Sequence, residues 1–448
     1  MKRRESEYRA MVPFRPFLKP ITYWWLYRTT AAGKFVAIGF VVSAGMGAHS
    51  VQIPIYRLFS LLLGILSVAW AVGFLMRARL SVSGGLPARA AVGQAVRGDF
   101  TLTNVSRSSV RDLSAGFFRL SPSLRESRSD DLVPQLGPGQ SARLAVELTP
   151  WKRGSYVLPP LCAFTTFPFH LFRTTARTNA QEASLLVLPW FHPVSDIHVP
   201  LGRRYQPGGV SLTSNIGESP EYIGNREYRP GDPIRRMDHR SWGRLGKPVV
   251  REYQEEYYCR IALILDTFVP PASRNAAGSR ALRGRWSALA LSPPGAGPPE
   301  GYPELEAAIS LSASVADILS RGEYLIDIFA AGPELYTFRA GRHIAHFDNI
   351  LEILSCLDAC KDNPFTTLAP ALSDELESIS TAICVFLDWD TTRQEFARRI
   401  AESGCSLKVL VVCQGGSAAA EAKGWGIPDG SWSVFSPEEI RSGGIETL

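Results

Sequence analysis

The chain lacks the short motifs on which most enzyme assignments rest. Its 448 residues hold no GxxxxGKS/T phosphate loop, no HExxH, no GxSxG and no GxGxxG placed between a strand and a helix. Phosphate cradling, zinc proteolysis, a nucleophile elbow and dinucleotide binding each need one of these spacings. The string GRLGKP, at 243–248, comes nearest to the first and lacks both its spacing and its hydroxyl. Paired cysteines are missing too. The seven cysteines are an odd number, scattered through apolar segments with no CxxC, and read as reduced core residues of a cytosolic compartment. Cys356 and Cys360, four apart on an expected helix, have no nearby histidine or second cysteine pair to complete a metal site. The net charge of +6 is mild, and much of it lies before residue 35, where Lys2, Arg3, Arg4, Arg9, Arg15, Lys19, Arg28 and Lys34 outnumber Glu5 and Glu7. Basicity confined to one end fits a membrane flank better than a nucleic-acid groove.

What is present begins with two uncharged runs, 35–56 and 58–76. As a helix each is long enough to cross about 30 Å of hydrocarbon. A cleaved signal peptide would account for the first run alone, but its basic leader is too long and a second run follows directly. Lys and Arg crowd the tail, Arg77 and Arg79 follow the second run, and the turn between holds Arg57 alone, so both ends are expected to face the cytoplasm. Trp24, Trp25 and Tyr27 stand where amphipathic rings prefer the headgroup level. The expected order is a basic tail (1–34), two transmembrane helices (35–79) and a cytoplasmic body.

From 80 to 190, alternating segments such as DFTLTNV, SARLAVEL and SYVLPPLCAF are separated by turn-rich ones such as SGGLPA, QLGPGQ and PWKRG. This spacing predicts an immunoglobulin-like β-sandwich. After 258 the pattern becomes apolar strands alternating with amphipathic helices. CRIALILD, EYLIDIFAA, TAICVFLD and SLKVLVVC read as buried strands. Among the helices, PELEAAISLSASVADILSRG puts Leu305, Ile309, Ser312, Ala316 and Leu319 on one face with Gly322 as its stop. HFDNILEILSCLDAC is a second helix, and TTRQEFARRIAESG a third with a Thr cap. The prediction for 259–448 is a doubly wound α/β domain. Ligands of such folds sit at the carboxyl ends of strands, where Asp266 and Asp388 fall. Two aspartates there can hold a hard cation, or they can cap the next helices and bond loop backbone; spacing alone favours the second.

Between these domains lies a charged connector (191–258) with the stretch REYRPGDPIRRMDHRSWGRLGKPVVREY at 226–253. Glu227, Asp232, Asp238 and Glu252 interrupt its basic residues, whereas phosphate binding gains from unneutralised Lys and Arg. Interleaved signs favour internal pairs, with Arg229, Arg235 and Arg236 expected to meet Asp232 and Asp238. His239 beside Asp238 and Ser241 invites a triad, but chain neighbours rarely converge as one requires.

These residues resemble the signature of a bacterial family, the domain of unknown function 58 proteins. The signature runs Arg, x, Tyr, x, x, Gly, Asp, x, x, Arg, x, Ile, Asp, Trp, then a basic segment and an extended piece entering a strand that ends in Asp. Arg226, Tyr228, Gly231, Asp232, Arg235 and Asp238 match it, with Met237 in the Ile place and His239 in the Trp place; Arg244, Val249, Glu252 and the strand end Asp266 continue the likeness. An RG-Y-L-P-P segment (153–160) and a Pro-Phe-x-Leu-Phe turn (168–172) extend it over nearly the whole chain. The resemblance implies an inner-membrane hairpin, a sandwich and a last domain like a von Willebrand factor type A domain, with a MoxR-type AAA+ ATPase as partner. It further implies a metal-dependent adhesion site reading Asp, x, Ser, x, Ser, with a later Thr and Asp, carried here by Asp266, Thr367 and Asp388. Phe268 and Pro270 stand in the serine places and offer Mg²⁺ no side-chain oxygen, so this site is expected to be degenerate. A Pro- and Gly-rich insertion (270–302), a flexible linker by composition, follows the loop.

The expected function is therefore non-enzymatic: a membrane-anchored scaffold or adaptor for assembly or maturation of other proteins. It would need no cofactor and no nucleic acid. Its partner-binding residues are expected to be Arg226, Tyr228, Arg229, Gly231, Asp232, Arg235, Arg236, Asp238, Arg244 and Glu252. The alternative is a divalent-metal-dependent ligand-binding or adhesion module on Asp266, Thr367 and Asp388. A hydrolase would lack a recognisable nucleophile and oxyanion site.

Overall fold

The chain divides into two units, 1–188 and 189–448; in the first, the long uncharged runs become helices and the alternating segments become strands. The structure, a computed structural model, describes residues 24–49, 53–127, 132–200, 209–210, 222–230, 232, 234–253, 256–257, 259–269, 302–322, 324–331, 335–338, 347–360, 363–365, 376, 379–414 and 431–448. Gly231, Thr367, the tail as far as residue 23 and the insertion as far as residue 301 lie outside the described residues.

In the first unit, α1 (Ala31–His49) and α2 (Ile53–Leu75) lie against each other through the stacked rings of Phe40 and Phe59, 5.0 Å between centroids. The Tyr56 hydroxyl donates to Gly47 O at 2.9 Å. α2 leaves Leu61, Trp70, Phe74 and Leu75 exposed, surface that water disfavours. Its residues Pro54–Leu75 are long and apolar enough to cross a membrane, which weakly suggests anchoring there; the apolar stretch of α1, Ala31–Gly47, is shorter. On length, then, the two-span expectation is met by α2 alone. Both helices are tied to the same short stretch of the sandwich. Thr30 N donates to Leu171 O at 3.0 Å and Arg173 N to Arg28 O at 2.7 Å before α1, and Arg77 Nε donates to Thr175 O at 3.1 Å after α2.

The sandwich strands are β1 (Arg79–Gly85), β2 (Arg89–Ala91), β3 (Val96–Asn104), β4 (Val110–Gly116), β5 (Leu124–Ser127), β6 (Val133–Leu136), β7 (Ser141–Pro150), β8 (Gly154–Leu158), β9 (Cys162–Thr165), β10 (Thr174–Thr175), β11 (Arg177–Thr178) and β12 (Ala183–Leu188). They form sheets ordered β11-β1-β3-β7-β5, β10-β9-β4-β6 and β2-β12-β8. β3 shows the period of two behind them: Val96, Phe100 and Leu102 face inward, Arg97 and Asp99 outward. Leu148, Leu158 and Leu185 join Phe100 in one core, and Leu80, Leu113 and Leu144 join Leu102 in another. Pro159 and Pro160 split the segment SYVLPPLCAF between β8 and β9, since proline cannot donate to a ladder.

In the second unit the strands are β13 (Gly209–Val210), β14 (Tyr222–Glu227), β15 (Val249–Tyr253), β16 (Glu256–Tyr257), β17 (Cys259–Leu265), β18 (Tyr324–Ala331), β19 (Leu335–Phe338), β20 (Thr381–Phe386), β21 (Ser406–Val412) and β22 (Trp432–Phe435). The helices are α3 (His239–Leu245), α4 (Pro303–Arg321), α5 (Phe347–Cys356), α6 (Thr391–Glu402) and α7 (Pro437–Ser442). The main sheet has the order β19-β18-β17-β20-β21-β22, parallel except for β19. Chain order reverses between β17 and β20, the topological switch at which α/β sheets open a crevice. Every residue of β20 is buried, as expected of a parallel strand covered on both faces.

Three expectations need correction here. α4 is buried around most of its circumference, Ala307, Leu311 and Val315 included: it packs on the sheet and against α5 and α7, and the segment 189–200 crosses it, Ser310 and Ser314 donating to Trp190 O and His192 O at 2.8 and 2.7 Å. That segment runs on to pair with the chain's last residues, Leu448 N donating to Asp196 O at 2.9 Å, within the second unit. α5 ends at Cys356, and Cys360 instead bridges to Phe268, so the two cysteines do not share a helix. The cap of α6 is Asp390, whose carboxylate accepts Arg393 N at 3.0 Å, and not a threonine.

Candidate functional site: the charged connector and the strand-end crevice

β14 and β15 pair antiparallel, with Glu252 opposite Gly224, and the loop between them carries a 3-10 turn (Ile234–Arg236) and α3. Two carboxylates organise this loop. Asp232 receives both arms of Arg226, each at 2.8 Å, and Arg229 N at 2.8 Å. Asp238 caps α3, accepting Arg240 N at 3.2 Å on Oδ1, and Ser241 Oγ at 2.7 Å and Asn225 Nδ2 at 3.0 Å on Oδ2; Arg251 Nη2 stands 3.5 Å away. Gly246, at φ 67°, ends the helix in the left-handed region that favours glycine. Tyr228 N donates to Pro248 O and Asp238 N to Val249 O, both at 2.9 Å, fastening the loop to the start of β15.

The Arg226 guanidinium holds the Asp232 carboxyl below its ordinary range; the Ser241 hydroxyl, the Asn225 amide and, more weakly, Arg251 do the same for Asp238. Of the arginines expected at these carboxylates, Arg229 contributes a backbone N–H, and the guanidiniums shown there are those of Arg226 and Arg251. Ser241 donates directly to Asp238 while His239 stacks on Trp242 at 6.1 Å, so the three side chains do not line up as a catalytic relay. Outward, α3 presents His239, Trp242 and Leu245 three residues apart on one face, all exposed, and Ile234 is 72% exposed. Arg229, Arg235, Arg240, Arg244 and Lys247 are exposed as well.

At the switch point the arrangement is inward. Asp266, fully buried after β17, accepts Phe268 N on Oδ1 at 2.8 Å and Leu387 N on Oδ2 at 3.0 Å. Its Oδ2 also accepts Arg393 Nε at 2.6 Å. Arg393, 1% exposed, extends its other nitrogens to Asp390 Oδ2 at 2.7 Å and to Phe268 O at 2.5 Å. The Phe268 and Phe365 rings lie 5.4 and 5.7 Å from the guanidinium carbon. Burial pushes the Asp266 carboxyl up, while Arg393 and the two amides pull it down. Burial alone would lower Arg393, yet the carboxylates of Asp266, Asp390 and Asp388 hold it above its ordinary value. Asp388 is half-buried and accepts Trp389 N on Oδ1 at 2.8 Å. Among the described residues no three His, Cys, Asp or Glu side chains group to hold a metal ion.

Arg393 is the residue that sequence reasoning missed. It had one signal: it lies in the first turn of α6, where the helix dipole disfavours a cation. A cation there needs carboxylate neighbours, and Asp390 and Asp266 supply them.

No family model matches the chain, and no curated protein matches it. Among solved structures, the CARDB domain of PF1109 from Pyrococcus furiosus aligns with 24% of this chain and 92% of its own, at 14% identity and a TM-score of 0.15. The PKD domain of an M14-like peptidase from a Thermoplasmatales archaeon aligns with 25% of this chain and 97% of its own, at 10% identity and a TM-score of 0.16. A fragment of α2-macroglobulin from Escherichia coli aligns with 30% of this chain and 20% of its own, at 15% identity and a TM-score of 0.20. Likeness at this level carries no argument about what the chain does.

Proposed function

We propose that the protein is a non-enzymatic, membrane-anchored scaffold of the domain of unknown function 58 type, whose connector docks a cytoplasmic protein partner. The observation that carries this reading is the division of labour in 226–253. Its two inner carboxylates are engaged within the loop, and Arg229, Arg240 and Arg244 stand exposed on the same segment as His239, Trp242 and Leu245. Aromatic and arginine side chains on a fixed frame are the residues from which protein interfaces draw most of their energy. An acidic surface is the complement, and the family resemblance points to a MoxR-type AAA+ ATPase. α2 supports the anchor, with α1 as the second half of an inner-membrane hairpin, since both are tied to one stretch of the sandwich. A tether confines the partner to the membrane surface and raises its effective concentration near membrane clients. The strand order of the last domain, with its antiparallel third strand, supports a type A-like fold.

Affinity capture from native membranes tests the reading. Trp242→Ala and Arg244→Glu are expected to lose the co-purifying ATPase while melting like the wild type. Retention of that partner by both variants would refute it.

A further inference from the structure

We infer that Arg393 is a built-in substitute for a divalent cation at the carboxyl end of the sheet, so that this crevice is organised without metal. The inference goes beyond the docking surface and holds whichever partner the connector takes. A Mg²⁺ site demands about six oxygens in near-octahedral array. Here both oxygens of Asp266 are engaged: Oδ1 by Phe268 N, and Oδ2 by Leu387 N and the Arg393 guanidinium. An ion beside Oδ2 would meet a like charge. Thr267 Oγ1 is buried without a partner next to this carboxylate, but a single hydroxyl is no coordination shell. Among the described residues, therefore, the donors do not fit the metal.

The departures from the metal pattern also suit the replacement. Phe268 stands where an adhesion site has a ligand serine, and it gives the guanidinium both a ring face and a carbonyl oxygen. Phe365 adds a second ring. Asp390, the cap of α6, takes another guanidinium nitrogen, so Arg393 joins the loop after β17 to the start of α6 as a bridging ion would. A bound metal can extend an open coordination position to an acidic ligand. Arg393, 1% exposed, has its nitrogens turned inward and makes no such bridge.

The test uses the full-length protein in detergent, with thermal melting and Mn²⁺ calorimetry. The wild type is expected to melt at one temperature in chelator, Mg²⁺ or Mn²⁺, and to bind no Mn²⁺ at this site. Arg393→Ala is expected to melt lower and to be raised by Mn²⁺, because Asp266 and Asp390 would then face a vacated cation position; adding Asp266→Asn should remove that rise. Arg393→Lys, which keeps a cation, is expected to ignore Mn²⁺ and so serves if the alanine variant does not fold. Wild-type Mn²⁺ binding abolished by Asp266→Asn would overturn the inference, as would an alanine variant indifferent to Mn²⁺ or a lysine variant that responds to it.

Discussion

Two of the arginine–carboxylate clusters in the second unit have contrasting surroundings. Arg226 and Asp232 meet within the connector, mostly covered but with a fifth of the arginine side chain still open to water, and the same carboxylate also holds a backbone amide. Arg393 and Asp266 meet inside the sheet's crevice, both essentially without solvent access. The chemistry is alike, but the cost of removing one partner is not. A charge stranded in the connector keeps some access to water, whereas one in the crevice has none. The difference is one of surroundings: the crevice charge is enclosed in the fold, whereas the connector carries exposed cations, Arg229, Arg240 and Arg244 among them.

Breaking the buried pair should have the largest effect. Arg393→Met is expected to destabilise the protein by about 3–5 kcal/mol in chemical denaturation, and Arg393→Met with Asp266→Asn to recover part of that loss, because no charge is then stranded. If the double variant proves less stable than the single one, the comparison fails.

A smaller and local effect is expected from Asp238→Ala. Hydrogen exchange at Arg240, Trp242 and Gly246 should quicken, with little change in the strands of the sheet, since the cap of α3 and its Ser241, Asn225 and Arg251 partners are lost together.

Acid sharpens the contrast. Asp232 and Asp238 have folded-state values below their ordinary ones, so their contribution is complete above the ordinary carboxylate value of about 4 and is lost as pH falls through the lowered values. Exchange protection of Arg229 and Arg240 should therefore decline from about pH 4 downward. Protection that declines instead as pH rises would have the wrong sign.

The smallest effect belongs to the fully solvated pair. Lys247 and Glu227 stand 3.1 Å apart with both side chains largely exposed. Lys247→Ala is expected to change stability by less than about 0.5 kcal/mol in the same denaturation assay.

Legibility followed the range of the interactions. The buried strands could be read from continuous apolar runs, and α4 from its period and Gly322, because those signals are local. The strand-end position of Asp266 was visible for the same reason. Its partner was not: Arg393 lies 127 residues further along, and no pattern in either segment names the other. β22 and α7, short and polar at their edges, gave no strong period. The strap at 189–200 has no secondary structure of its own to announce it, and its role rests on carbonyls that α4 happens to meet.

The central claim is that partners meet the connector and leave the crevice alone. A photo-reactive amino acid at Leu245, exposed on α3, and another at Asp388, beside the crevice, can be compared in native membranes. The account predicts a strong cross-link to the ATPase from position 245 and none from 388. A cross-link from 388 with none from 245 would contradict it.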